Sequence, residues 1–188
     1  MECCFSSHGL GSYSGETAMN NPRDRCRRLA LEAEGYLELG MHHHALHSLE
    51  QLEASGALDA HAVYLKGETL RSLERYDEAL SALRSASRSL PDDIHILLAL
   101  GWCYKRIGQL DRAIDSLEDA LLVEPSEALV HYNLACYWSL AGNKDSALTF
   151  LATAFDIDSS YRDMVEQESD FDPIRSDPDF LALTSVIV

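Results

Sequence analysis

Apolar and polar residues alternate along most of the chain with the period of an α-helix. The stretch 94–127 shows this most clearly, because its apolar residues recur at spacings of three and four. The two stripes there are Leu97, Leu100, Gly101, Tyr104 and then Leu110, Ala113, Leu117, Ala120, Leu121. Gly108 separates the stripes, and Pro125 follows the second. Glycine and proline are typical of helix ends, so the pattern predicts two helices joined by a short turn.

The same arrangement recurs every 34 residues. The shared feature is an alanine with leucine four residues later, found at Ala45, Ala79, Ala113 and Ala147. A glycine precedes three of these alanines by five residues, whereas Glu74 takes its place in the second unit. The register holds without an insertion over 26–59, 60–93, 94–127 and 128–161. A fixed period of this length predicts stacked helix pairs that bury one continuous core.

This pattern resembles the tetratricopeptide repeat, whose consensus is W-x2-L-G-x2-Y, then A-x3-F, A and P. The unit 94–127 matches it best, through Leu100-Gly101, Tyr104, Gly108, Ala113, Leu117, Ala120 and Pro125. The resemblance covers residues 26–161 of the 188. It implies an all-α, right-handed solenoid of antiparallel helix pairs with a concave groove. It also implies a noncatalytic module that binds proteins or peptides.

In that family, positions 2, 5, 9, 12 and 13 of each unit line the concave groove. The candidate partner-binding residues are therefore His61, Tyr64, Glu68, Arg71, His95, Trp102, Lys105, Arg106 and Tyr132. Leu98, Leu129, Cys136 and Ser139 fall on the same positions. The cations and aromatic side chains favour a partner with acidic and apolar residues, because such side chains are frequent anchors of interfaces. The alternative is that these are ordinary residues of amphipathic helices.

Two departures from the family pattern limit what the resemblance implies. Some members bind the acidic C-termini of heat-shock chaperones through a two-carboxylate clamp. Its positions are occupied here by Ala30, Glu34, Leu65, His95 and Ala99, so this ligand is not expected. In addition, Glu32 and Lys66 replace the leucine found at Leu100 and Leu134. We expect both charges to reach solvent, and the alternative is a pair that bridges neighbouring helices.

Both ends of the chain depart from the repeat. Residues 1–25 are expected to form a disordered segment, because the first 18 are rich in Ser and Gly and carry no helical period. Met19 is an alternative start, and the stretch that it opens already looks helical. The first residues resemble no secretory signal, and lipid attachment at Cys3 and Cys4 is a less favoured alternative.

Residues 162–188 are interpreted as a cap over the last unit, and they resemble the acidic tails of many bacterial repeat proteins. Two Asp-Pro pairs predict short helices near 173–175 and 178–184. The expected apolar contacts are Phe171, Ile174, Phe180 and Leu181. The acidic residues are interpreted as a solvated face, with calcium binding or a basic partner as alternatives.

Composition narrows the function. The net charge of −16 argues against binding to nucleic acid or to anionic membranes, since both repel an acidic surface. No apolar run approaches the length of a membrane span. The chain has five cysteines, an odd number, and no two of them have the CxxC or CxxxC spacing of metal ligands. These features favour a reduced, cytoplasmic protein without a disulfide framework or a zinc site.

No motif for catalysis or for a cofactor is present. The sequence lacks a glycine-rich phosphate loop, a G-x-S-x-G elbow and a cysteine with an evident base, so we expect neither an enzyme nor a cofactor. Four histidines cluster at His42, His43, His44 and His47. His43 and His47 have chelating i, i+4 spacing, yet no second cluster completes a ligand shell. We expect no metal, and His42 is expected to pack inside.

Three functions follow in order of preference. The first is a noncatalytic adaptor that binds a protein or peptide segment in its groove. The second is a structural subunit that assembles through the ends of the solenoid, including the apolar tail 184–188. The third is a metal-binding protein that uses the histidine cluster.

Overall fold

The computed structural model describes residues 22–185, and this part of the chain is built from helices. The long helices are α1 (Pro22–Glu38), α2 (His42–Ala54), α3 (Ala60–Ser72), α4 (Tyr76–Ser89), α5 (Ile94–Arg106), α6 (Leu110–Val123), α7 (Ala128–Leu140) and α8 (Lys144–Ile157). A 3₁₀ turn (Ser159–Tyr161), α9 (Arg162–Val165), a second 3₁₀ turn (Ser169–Phe171) and α10 (Pro178–Thr184) follow. We call these last elements the C-terminal segment (residues 159–185).

The eight long helices pair in order as hairpins 1 to 4, and each hairpin packs on the next. The first helices of neighbouring hairpins also touch, because α3 contacts both α1 and α5. This closer approach places the first helices on the inner, concave side of the stack. The chain is therefore an all-α solenoid of helix pairs.

Helix α1 begins at Pro22, inside the segment 1–25 that was expected to be disordered. That expectation is wrong for residues 22–25. The physical reason is that proline suits the first position of a helix, where its missing N–H costs no hydrogen bond. The expectation for residues 1–21 lies outside the described residues, as does that for 186–188.

Within each hairpin, the turn contains one residue with positive φ at the same place. These residues are Gly40, Glu74, Gly108 and Gly142, with φ of 69°, 58°, 75° and 76°. At Glu74 the backbone N–H groups of residues 74 and 75 still donate to the carbonyls of Arg71 and Leu70, at 3.0 and 2.9 Å. The turn is therefore conserved in form, although glutamate adopts this left-handed conformation at a cost that glycine avoids.

Acidic side chains cap the helices that open hairpins 2, 3 and 4. Asp59 accepts a hydrogen bond from the Ala62 N–H, Asp93 from two backbone N–H groups, and Glu127 from the Leu129 N–H. An acidic cap also suits the positive end of the helix dipole. Ser126, the residue before Glu127, donates instead to the carboxylate of Glu124.

The repeated small and apolar residues form the core. Ala79, Ala113, Leu83 and Leu117 are fully buried, as are their counterparts in the other hairpins. A Cβ added at Gly67 would lie 2.6 Å from Leu83 Cγ, so the two helices of hairpin 2 approach more closely than a larger residue allows. The periodicity in the sequence thus reports a real packing requirement.

Glu32 and Lys66, the two charges that interrupt the apolar positions, do not pair with each other. Lys66 Nζ lies 2.7 Å from Glu53 Oε2, and Glu32 pairs with Arg28 on its own helix at 3.5 Å. Glu32 is exposed, and the Lys66 side chain is 21% exposed while it pairs at the surface. Neither charge therefore needs a buried partner.

Candidate partner-binding groove

The concave side of α3 and α5 carries an open pocket of about 340 Å³. Five of the nine residues chosen from the sequence line it, namely Tyr64, Glu68, Arg71, His95 and Trp102. The rest of the lining is Leu98, Ala99, Leu129 and Asn133. The pocket therefore spans three hairpins and combines apolar walls with a small number of polar groups, which is the usual composition of a binding site.

Arg71 is the charged centre of this pocket. Its Nε and Nη2 donate to the two carboxylate oxygens of Glu68 at 3.0 and 2.7 Å. Burial lowers the pKa of Arg71, but the hydrogen bonds and the charge of Glu68 outweigh it, so that the pKa is raised overall. The guanidinium carbon lies 5.0 Å from the Trp102 ring centroid, within the range of a cation–π contact.

Trp102 lies between two arginines. Arg106 approaches its ring from another direction, with the guanidinium carbon 5.4 Å from the centroid. Tyr76 packs edge-on against the indole at 5.5 Å and accepts a hydrogen bond from Arg106 Nε at 3.3 Å. These contacts hold a large aromatic side chain in one orientation at the rim of the pocket. A rigid aromatic residue flanked by cations is a suitable anchor for a partner.

Tyr64 supplies a neutral polar group to the lining of the pocket. Burial raises its pKa to about 12, and the nearby charge of Glu68 adds to this effect. The phenol therefore stays protonated at neutral pH and can donate a hydrogen bond. His95 is exposed at the edge of the pocket, while His61 lies outside the pocket lining and makes a 2.9 Å contact through Nε2 with Glu34 Oε1.

The structure differs from the sequence-based expectation at Lys105 and Tyr132. Both lie on the concave side, yet the C-terminal segment covers them. Lys105 donates to the carboxylate of Asp170, and Tyr132 is only 3% exposed. The ring of Phe171 packs against Tyr132 at a centroid distance of 5.7 Å. These two residues are therefore not part of the open groove, because a non-repeating segment of the chain has filled their end of it.

The same place holds a group of potential metal ligands. Atoms of Cys136, Glu168 and Asp170 lie within 4.8 Å of one another. Burial raises the pKa of the Cys136 thiol, and the charge of Asp170 raises it further, so the protonated form is favoured. Asp170 is also neutralised by Lys105. A protonated thiol and a paired carboxylate favour a packed internal contact over metal ligation.

The histidine cluster makes separate local contacts. The His44 ring lies 5.3 Å from that of Tyr36, and His47 Nε2 is 2.7 Å from the Gln51 side-chain amide. His42 is half-buried, and its Nδ1 is buried without a hydrogen-bond partner among residues 22–185. Over the same residues, His43 and His47 gain no third ligand from His, Cys, Asp or Glu. The fold therefore brings no further ligand to the two histidines that have chelating spacing.

Sequence reasoning missed two features of the groove. Asn133 and Ala99 complete the pocket, although they follow the chosen positions by only one residue. Phe171 was expected to contact the last unit, but its position at the end of the groove and the pairing of Asp170 with Lys105 were missed. The sequence did contain one indication, since an acidic and an aromatic residue stand side by side at 170–171 and the concave positions are rich in cations and tyrosines. This chemical complementarity is visible in the sequence, but it does not specify the long-range contact.

Comparison with known proteins adds three findings. Models of the tetratricopeptide repeat family match residues 31–94 and 70–135. A crystal structure of MamA is 18% identical, with a TM-score of 0.70, and covers 78% of this chain and 85% of its own. MamA 41-end from Desulfovibrio magneticus RS-1 is 21% identical, with a TM-score of 0.69, and covers 76% of this chain and 78% of its own. No curated protein sequence matches.

Between Pro22 and Ser185, every helix is too short or too polar to cross a membrane. The two family matches together span 31–135, which is more than half of the chain. The MamA structures show that the same arrangement of helix pairs occurs in other proteins. The repeat register, the stacked hairpins and these matches agree, and the chain belongs to the tetratricopeptide repeat proteins, whose fold is a scaffold for protein–protein interaction.

Proposed function

We propose that this chain is a noncatalytic adaptor that binds a protein or peptide segment in the open pocket between α3, α5 and α7. The observation that carries the proposal is the position of Trp102, which lies at the pocket wall with Arg71 and Arg106 on its ring. Aromatic and arginine side chains supply much of the binding energy at protein interfaces. Leu98 and Leu129 provide apolar walls beside them.

The setting of the pocket supports the same function. Its residues come from three hairpins, so an extended segment that crosses the concave face would contact all three. The cytoplasm is the proposed location, because Cys103 and Cys136 are free thiols inside the core. A reducing compartment keeps such cysteines unmodified.

Site-specific photo-crosslinking tests the proposal. A photoreactive amino acid at Leu98 should capture partners from extract, whereas the same residue at Leu122, which is 83% exposed on α6, serves as the control outside the pocket. Capture at Leu98 should fall sharply when Trp102 is replaced by Ala, provided that circular dichroism shows an unchanged helical content. Equal capture at both positions, or capture that is unchanged in the Trp102→Ala variant, would show that partners bind another surface.

A second candidate is a structural subunit that assembles through the first hairpin. Leu31 on α1 and Leu39 in the turn that follows it are 58% and 74% exposed, and such residues are suited to contact another copy. Sedimentation velocity over a wide concentration range separates the two functions. Growth in mass without an added partner, lost in Leu31→Ser/Leu39→Ser, would favour assembly.

A further inference from the structure

One end of the concave face already shows how it holds an acidic and aromatic pair. Asp170 pairs with Lys105 of α5, while the next residue, Phe171, is fully buried against Tyr132 of α7 and Phe180 of α10. Asp170 also lies beside the Cys136 thiol. The chain thus places a carboxylate and a neighbouring aromatic ring on two successive hairpins.

The open pocket repeats this arrangement one hairpin earlier. Three repeat residues around Asp170 and Phe171 have a counterpart 34 residues before them in the open pocket, whereas Phe180 belongs to the C-terminal segment and has none. These pairs are Lys105 and Arg71, Tyr132 and Leu98, Cys136 and Trp102. Because the hairpins stack in a constant register, the counterparts occupy the same relative places on the concave face. The open pocket therefore offers a cation and apolar walls in the geometry that holds Asp170 and Phe171.

We propose that the open pocket binds a segment of a partner protein in which an acidic residue directly precedes a large apolar residue. The partner's carboxylate pairs with Arg71, and its apolar side chain packs on Leu98 and Leu129. This inference rests on the proposed function and names the chemistry of its partner. Its basis is continuity with the internal contact and the positive charge that Arg71 and Arg106 bring to an otherwise acidic protein.

Glu68 distinguishes the open pocket from the filled pocket, by which we mean the end of the groove that Asp170 and Phe171 occupy. The carboxylate of Glu68 accepts hydrogen bonds from two N–H groups of Arg71. In the next hairpin the position of Glu68 is occupied by Trp102, so that no repeat carboxylate at this position accompanies Lys105. An incoming carboxylate therefore competes with Glu68 for Arg71. It follows that Glu68 weakens binding, and that its neutralisation should strengthen it.

The experiment uses the full chain and a fluorescent peptide with the sequence of residues 166–174, EQESDFDPI. Fluorescence anisotropy should show saturable binding to the wild type and at least threefold tighter binding to Glu68→Gln. Arg71→Gln should bind about tenfold more weakly, as expected for the loss of a charge-assisted hydrogen bond. Peptides with Asp replaced by Asn before the Phe, or with the Phe replaced by Ala, should lose most of their affinity for every variant.

A matched variant separates the open pocket from the filled one. If the peptide merely displaced the chain's own C-terminal segment, Lys105→Gln would change the affinity and Arg71→Gln would not, which overturns the proposal. Absence of binding to both the wild type and Glu68→Gln also overturns it. Self-association of the unmodified chain that Phe171→Ala abolishes would make a second copy the occupant instead of a partner.

The crosslinking experiment distinguishes failure of this inference from failure of the proposed function. Partners captured at Leu98 can be digested and the linked segment sequenced. A linked segment with an acidic residue directly before a large apolar one agrees with the inference. Capture that depends on Trp102 but occurs through segments without that pair would leave the adaptor function in place and contradict the partner chemistry.

Discussion

Lys105 on α5 donates a hydrogen bond to the carboxylate of Asp170, which lies 65 residues later in the chain. Their side chains are 24% and 11% exposed, so water screens this ion pair only partly. It connects hairpin 3 to the C-terminal segment across the concave face. The pair thus fixes a segment that has no place in the repeat pattern, and it closes one end of the groove.

Removal of Lys105 should destabilise the fold because it leaves the carboxylate of Asp170 without its cation. We expect Lys105→Met to lower the free energy of unfolding by about 2 kcal/mol, as is typical of a partly buried pair that loses one member. Urea denaturation of Lys105→Met, Asp170→Asn and the double variant gives the coupling between them.

The exposed pair Arg75–Glu78 is the control for this cycle. It joins two residues on one helical turn at the surface, where solvent screens the interaction. Its coupling should be much smaller than that of Lys105 and Asp170. Equal coupling in the two cycles would mean that the concave pair does not hold the C-terminal segment.

Glu74 is the one strained position of the repeated turn. Glu74→Gly should raise the free energy of unfolding by about 0.5–1 kcal/mol, because glycine removes the cost of positive φ but increases the freedom of the unfolded chain. Gly108→Ala, at the same position in hairpin 3, should lower it, since no other atom crowds that site and only the backbone conformation opposes the change. Urea denaturation measures both, and destabilisation by Glu74→Gly would refute the strain.

The repeat itself could be predicted from the sequence because it rests on local and periodic requirements. Ala113 and Leu117 recur in register, and the fold buries their counterparts alike. Where two neighbouring residues can both cap a helix, the sequence alone does not predict which of them does so. Glu127 and Ser126 are both able to cap α7, and only the path of the turn before the helix selects Glu127.

The C-terminal segment could be predicted only in part. Phe171, Ile174 and Phe180 are buried as expected, and Asp177 caps α10 with Pro178 at its start. The helix expected at 173–175 is wrong: a 3₁₀ turn at Ser169–Phe171 is formed instead, with Glu168 as its cap. Leu181 is also 52% exposed, contrary to expectation. A non-repeating segment has no register from which its contacts can be derived.

The buried Phe171 ring should make a large contribution to stability. Phe171→Ala is expected to cost about 3–5 kcal/mol, because it removes a fully buried aromatic side chain in contact with Tyr132 and Phe180. Leu181→Ala, in the same segment but exposed, is the matched control and should change little. Thermal unfolding measures both.

Truncation after Ser160 examines the capping role of the segment as a whole. It should expose Tyr132 and the apolar surface of α7, increase the binding of a hydrophobic dye, and lower the melting temperature. A truncated chain that remains monomeric and as stable as the full chain would contradict that role.

The two core cysteines should resist modification. Burial raises the pKa of Cys103 to about 12, and burial followed by the charge of Asp170 raises that of Cys136, so both are thiols at pH 8. In a Cys3→Ser/Cys4→Ser background, a disulfide reagent should modify half-buried Cys26 first, and the core pair only on unfolding. A raised thiol pKa stabilises the fold fully below the unfolded value of about 8.5, and this contribution declines as the pH rises toward 12. Equal reaction rates for the three thiols in the folded chain would show that the core opens without global unfolding.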